Sequence, residues 1–200
     1  MKKLLLFIPI ILYIIGCGGE AVNYFPLSVG SVWDYLTTTT AYTPTDTTEM
    51  PGTMNVEITE ETTLDDGTEV VEQMTIETTV VEPDTFVDTS YTYWEETEDY
   101  IRSYDDKADT TADTWVELPI EEGNTWDVNA DMSAVVVGRA DVSVPAGNYD
   151  DCWEIGYYTD TDTAYTYFAD GVGIVRQTMK INEGFAILET EVELESATIE

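Results

Sequence analysis

The sequence contains no histidine. That absence removes every catalytic triad built on an imidazole, the usual zinc ligand sets and the commonest general base near neutral pH. Cysteine is scarce too, with only Cys17 and Cys152. Cations are few: Lys and Arg total 7 against 41 Asp and Glu, a formal net charge of −34. Nucleic acid is excluded as a ligand, because phosphate contacts need clustered Lys and Arg. Electrostatic docking on anionic lipid is excluded for the same reason. No glycine-rich phosphate loop precedes a helical stretch. The longest apolar run, Leu4 to Ile15, has 12 residues. As a helix it spans about 18 Å, whereas crossing a bilayer takes about 20 residues.

That run has another use. Met1-Lys2-Lys3 supplies a positive start, and the apolar stretch has the length of the middle of a secretory signal. Ile14-Ile15-Gly16-Cys17 resembles the lipobox read by bacterial lipoprotein-processing enzymes, with Ile14 where that motif prefers Leu. The resemblance implies that residues 1–16 are a cleaved signal peptide and that the Cys17 thiol carries a diacylglycerol. The new amino terminus is then acylated in turn, with palmitate-type chains. Two or three chains give stable anchoring where one binds marginally. Residues 17–23 are then a lipidated tether and residues 24–200 a single domain. Gly18 follows the cysteine where Asp marks inner-membrane retention in some diderm bacteria. The expected place is therefore the outer membrane, on its periplasmic or surface side, or the outer face of the cytoplasmic membrane in a monoderm.

High charge is also a mark of disorder, but this chain is 43% hydrophobic and 12% aromatic and can bury a core. Period-two alternation dominates. Leu188, Thr190, Val192 and Leu194 oppose Glu189, Glu191, Glu193 and Glu195, the pattern of a strand with one face on a core and one in water. Trp153, Ile155 and Tyr157 alternate with Glu154 and Gly156 in the same way. Turn signals such as Asp65-Asp66-Gly67, Glu82-Pro83-Asp84 and Asp170-Gly171 separate such runs. The expected fold is all-β and mainly antiparallel, with about ten or eleven strands and little helix. Either a single curved sheet forming a half-barrel or a β-sandwich fits. Eleven strands are placed from residue 53 onward. Residues 37–52 are read as either a strand extension or a loop, and Asp105 to Asp113 as an exposed acidic loop. The acid excess, the few lysines and the 31 threonines also suit high salt, where screening removes self-repulsion.

One pattern occurs twice. Pro26-Leu27-Ser28-Val29-Gly30-Ser31-Val32-Trp33-Asp34 matches Pro119-Ile120-Glu121-Glu122-Gly123-Asn124-Thr125-Trp126-Asp127. Glycine permits a tight turn and tryptophan starts a strand with a large buried ring. The repeat is therefore a turn with a core anchor, or its tryptophans line a shared ligand pocket. Trp33, Trp126 and Trp153 are the candidate ligand-binding residues.

These landmarks resemble a loose group of bacterial lipoproteins of unassigned function. They include the start Tyr24 to Tyr35, the second Pro-Ile-x-x-Gly-x-x-Trp at 119–126, the turn Val144 to Tyr149 before Cys152, and the aromatic segment Tyr165 to Val175. That group is similar in turn to the periplasmic lipoprotein carriers of LolA/LolB type. The likeness implies a curved antiparallel sheet over a small helical plug, its hollow holding acyl chains. The chain departs from the carriers in having no amphipathic helix to act as plug and no arginine suggesting their conserved contact.

Site chemistry is sparse. Asp160 and Asp162, with Thr161 and Thr163, form one acidic loop, and Asp105, Asp106 and Asp109 another. Calcium takes several oxygens from one loop, but neither has the glycine and distal glutamate of an EF-hand, and a solvated acidic loop is the stronger reading of the residues. No other cofactor is expected. Cys152, with Cys17 lipidated and no cation beside it in sequence, reads as a core residue rather than a reactive thiol. A carboxylate pair serves glycoside hydrolysis, but 41 carboxylates make any pair in sequence uninformative. The expectation is a non-catalytic envelope lipoprotein binding an apolar ligand or lipid. The alternatives are a structural or protein-interaction module at the cell surface and a glycan-active enzyme.

Overall fold

The computed structural model describes residues 23–200, so Cys17, the leader and most of the tether lie outside the described residues. The described chain is twelve antiparallel strands with no helix. They are β1 (Val32–Tyr42), β2 (Thr47–Thr63), β3 (Glu69–Val81), β4 (Asp84–Glu96), β5 (Tyr100–Tyr104) and β6 (Asp113–Glu117), then β7 (Thr125–Asp127), β8 (Ser133–Val144), β9 (Gly147–Tyr158), β10 (Thr163–Ala169), β11 (Gly173–Asn182) and β12 (Ile187–Thr198). All belong to one sheet, in the order β6-β5-β4-β3-β2-β1-β12-β11-β10-β9-β8-β7. Consecutive strands pair except β6 and β7, the two edges, and β1 pairs with β12 from Tyr42↔Ile187 to Val32↔Thr198.

Two expectations need correction. The sandwich is not formed, because no second sheet exists among the described residues. The sheet is also more closed than a half-barrel. Its edge strands β6 and β7 are consecutive in sequence and meet at a seam. Thr114 N donates to Val128 O (3.0 Å), Trp126 Nε1 to Thr114 O (2.8 Å) and Asn129 Nδ2 to Asp113 Oδ2 (3.0 Å). The result is a nearly closed up-and-down barrel. The twelfth strand is β1, whose run Thr37-Thr38-Thr39-Thr40 lacks an apolar alternation to announce it. β2 passes straight through Pro51-Gly52. Pro51 lies beyond Gly52↔Thr79, where pairing with β3 has ended, so a missing N–H costs no ladder bond on that side. Gly52 is there for close approach, since a Cβ would lie 2.3 Å from Thr78 O and 2.6 Å from Thr37 Oγ1.

The repeated motif is one turn built twice. Gly30 has φ +93° and Gly123 φ +86°, values that favour glycine. Gly30 N donates to Ile58 O and Ile58 N to Ser31 O; Gly123 N donates to Val136 O and Val136 N to Asn124 O. Each turn thus docks on the strand that follows its own, and each opens a six-stranded meander, β1–β6 or β7–β12.

A barrel of eight strands is just filled by its own side chains, and twelve enclose more space than that. Part of this hollow is filled by the segment that precedes β1. Asn23 O accepts from Gly171 N (2.8 Å), and Phe25 lies 4.7 Å from the Trp94 ring and 6.2 Å from Phe168. Leu27 packs against both main clusters of the core. Tyr24 is held from outside by Arg139, whose guanidinium stacks on Trp153 at 3.5 Å and faces Tyr24 at 5.8 Å. Arg139 also donates to Asp151 O, which fixes Asp151 at φ +58°. An irregular segment therefore stands where the family resemblance implied a helical plug.

The loop after β5 folds back over the convex face. Asp65 N donates to Lys107 O (2.8 Å) and Lys107 Nζ to Thr62 Oγ1 (3.0 Å). Beneath it Leu64, Val70 and Tyr104 form a small separate core. The acidic loop expected there is present but folded onto the sheet.

Candidate functional site

An apolar cavity of about 140 Å³, partly open, lies between the pre-β1 segment and the inner faces of β1–β4, β11 and β12. Alternation places the lining. Trp33 and Tyr35 on β1 point inward; across β2 they meet Val56 and Met54, and beyond β2 come Gln73 and Thr75. Val192 and Gln177 close the other side. Phe25, Leu27 and Trp94 form the wall toward the seam.

Most polar groups of this wall are already satisfied. Trp33 Nε1 donates to Val172 O (2.7 Å) and Tyr35 OH to Ile174 O (3.0 Å). Burial pushes the Tyr35 hydroxyl ionisation well above the usual tyrosine range, so it remains a neutral donor. Gln177 Nε2 donates to Thr166 Oγ1 and Gln73 Nε2 to Thr75 Oγ1, both at 3.1 Å. Trp94 is the exception. It is 8% exposed, and its indole N–H is buried without a hydrogen-bond partner among the described residues. A buried unpaired donor costs about 1–3 kcal/mol. Trp94 also sits in a run of rings through the interior, 6.3 Å from Trp115, which lies 5.4 Å from Tyr157.

The three tryptophans expected to bind ligand are not brought together. Trp33 lines the cavity. Trp126 is at the seam, its N–H spent on Thr114 O. Trp153 lies under Arg139. The residues missed by sequence reading are Phe25, Tyr35, Gln73, Trp94 and Gln177. The parity of β1 pointed to Tyr35 once Trp33 was placed inward. Trp94 carries no such signal, because its environment depends on the curl of the whole sheet.

On the other side of Trp94 and Leu27 is a polar cleft bordered by Glu61, Glu69 and Glu96. Partial burial holds the Glu96 carboxyl above its ordinary value. The acidic loops spend carboxylate oxygens on nearby backbone amides. Asp162 Oδ1 accepts from Asn182 N (2.9 Å), which lowers its pKa. Asp106 Oδ1 accepts from Ala108 N and Asp109 Oδ2 from Asp106 N. Asp160 and Asp105 are exposed in these loops. Among the described residues no three acidic or thiol side chains group closely enough to hold a metal. Cys152 is fully buried. Burial pushes its thiol pKa up, helped by the charges of Asp141, Asp151 and Asp150, the reverse of what a reactive cysteine needs.

Pairing and cavity together define the class: a twelve-stranded antiparallel up-and-down barrel with an apolar interior site. No protein-family model matches the chain, and no curated protein matches it by sequence. Among solved structures it is similar to a Bacteroides fragilis protein described as exported and of YmcC-like fold, at 15% identity and TM-score 0.47, over 89% of this chain and all of that one. It is similar also to a Parabacteroides distasonis protein described as a lipoprotein, at 14% identity and TM-score 0.37, over 90% of this chain and all of that one. A Desulfovibrio piger protein of the DUF1329 family aligns at 7% identity and TM-score 0.31, over 86% of this chain and 87% of that one.

Proposed function

We propose that the protein is a non-catalytic envelope lipoprotein, tethered through acyl chains on Cys17, that holds an apolar group inside its barrel. The observation that carries this reading is the cavity of about 140 Å³ walled by Phe25, Leu27, Trp33, Val56 and Trp94. A dry engineered cavity of about 150 Å³ takes benzene. The space here suits one ring or a short alkyl segment, and a longer chain has to displace Phe25. The tether supports the location. Five residues separate Cys17 from Asn23, a reach of at most about 20 Å over six steps, so the barrel end holding Asn23 lies against the membrane.

Mass spectrometry of the chain purified in mild detergent tests this. The expected result is a copurifying apolar molecule, released on unfolding, in addition to the acyl chains on Cys17. A folded chain whose only added mass is that acylation contradicts the reading.

A second reading, a protein-interaction module, has its own observation. Val81, Phe86, Val87 and Tyr91 are all exposed on the β3–β4 ribbon.

A further inference from the structure

The outer half of β4 is an unfinished sheet. β3 pairs with β4 from Val81↔Asp84 to Val71↔Trp94 without a bulge. β5 pairs only with Tyr93–Glu96. From Asp84 to Thr92 the strand therefore has one neighbour. In an antiparallel strand every second residue turns both its N–H and its C=O to the same side, and on the side away from β3 these groups have no backbone partner among the described residues. Such an edge is a template for another strand, and folded proteins usually blunt it with charged side chains, proline or a bulge. Here no proline or bulge interrupts the strand, and its charges from residue 84 to 92 are Asp84 and Asp88 alone. Phe86 is 59% exposed, Val87 65% and Tyr91 48%.

Charge chooses the occupant. Asp84 and Asp88 flank Phe86 at i−2 and i+2, so all three side chains lie on one face. No cation stands between Glu77 and Thr92, while Glu77 and Glu82 add to the acid. A second copy is disfavoured. Antiparallel pairing centred on Phe86 sets Asp84 of each copy opposite Asp88 of the other, and like charges directly opposite destabilise a sheet. Each copy also carries the net charge of −34.

We infer that this edge takes up an extended segment of a partner protein with the pattern basic, any residue, apolar, any residue, basic. The two cations lie opposite Asp84 and Asp88, and the apolar side chain lies against Phe86. The pattern reads the same in both directions, so either strand polarity satisfies it. Main-chain bonds supply the attachment and the alternate side chains the selectivity.

The test uses the full chain in uncharged detergent at about 0.15 M salt, where weak surface attraction is screened. The probe is a labelled peptide of about nine residues with Lys-Thr-Ile-Thr-Lys at its centre, compared with its backbone N-methylated form and with a Glu-Thr-Ile-Thr-Glu peptide. Fluorescence anisotropy is expected to show saturable binding, weakened at least about tenfold by N-methylation or charge reversal, about 1.4 kcal/mol. Hydrogen exchange should slow at alternate amides of residues 85–91. The variant D84K/D88K, changed at exposed positions that keep the fold, should reverse the preference toward the acidic peptide. Equal binding of the N-methylated peptide means general charge attraction and overturns the inference. Protection elsewhere, no binding, or self-association of the chain through this edge in sedimentation overturns it as well.

Discussion

Tyr157→Phe tests whether the barrel closes across its seam as described. Tyr157 is 3% exposed on β9, and its hydroxyl reaches across the interior to donate to Trp115 O at 3.0 Å. Trp115 is the extra residue of a β-bulge: Ile101 pairs with Val116 and Arg102 with Thr114, leaving Trp115 outside the ladder. Its carbonyl takes from Tyr157 the bond the ladder does not provide. Phenylalanine keeps the ring and its contact with Trp115, so no cavity is left. The loss is one hydrogen bond plus a stranded acceptor, about 1–3 kcal/mol. For a domain of this size each kcal/mol shifts Tm by about 2–4 °C, giving a fall of about 2–12 °C. Near-ultraviolet circular dichroism during a thermal melt reads it.

A second arm of the same experiment uses pH. Burial raises the Tyr157 ionisation above that of a free tyrosine. In the unfolded chain the hydroxyl loses its proton near pH 10, while the folded chain retains it. The stabilisation is thus complete below about pH 10 and is lost as pH rises beyond it. Tyr104, pushed up to about 12 by burial and by the neighbouring Glu95 carboxylate, contributes in the same sense between pH 10 and 12. Tyr157→Phe should melt lower at pH 7 and lose stability less steeply above pH 10. An unchanged Tm at pH 7, with the wild-type slope above pH 10, refutes the interior bond.

Gly52→Ala should destabilise by about 1–3 kcal/mol in a urea melt, because the new methyl meets Thr78 O, a backbone atom that moves only if β2 and β3 part. The Cys152 thiol should resist an aromatic disulfide reagent at pH 8 until the chain unfolds, since it is fully buried and its pKa is raised; rapid labelling of the native protein contradicts its placement. Molar KCl should raise Tm, through screening of the net charge of −34; an unchanged Tm counts against adaptation to salt.

Much of the fold was legible because strand alternation is a local signal. The glutamate ladder of β12 and the pattern Trp153, Ile155, Tyr157 of β9 report their own faces without reference to any other strand. β1 was less legible, because four consecutive threonines suit either face of a sheet. Residues 37–52 read as either a strand extension or a loop, and β2 runs straight through Pro51-Gly52; the reason for Gly52, contact with Thr78 and Thr37, lies in neighbouring strands. Closure was illegible for a related cause. The seam rests on a few bonds of Thr114, Trp126 and Asn129, and nothing in their order in the chain announces that β6 and β7 meet edge to edge. The site shares this property. Trp33 was recognisable as an inward anchor. Trp94 and Phe25 are 69 positions apart in the sequence and meet only because the sheet curls around the segment that precedes β1.

Occupancy of the cavity by an apolar ligand is tested most directly at the indole groups. The chain has five tryptophans, so a ¹⁵N-labelled sample gives five indole N–H signals, with that of Trp94 assigned through Trp94→Phe. Cyclohexanone, an apolar ring with one acceptor, is titrated in. A saturable shift of the Trp33 and Trp94 signals, the two indoles that line the cavity, with little at Trp153, is the predicted result. Five signals that stay in place, or that drift together without saturating, contradict an interior site.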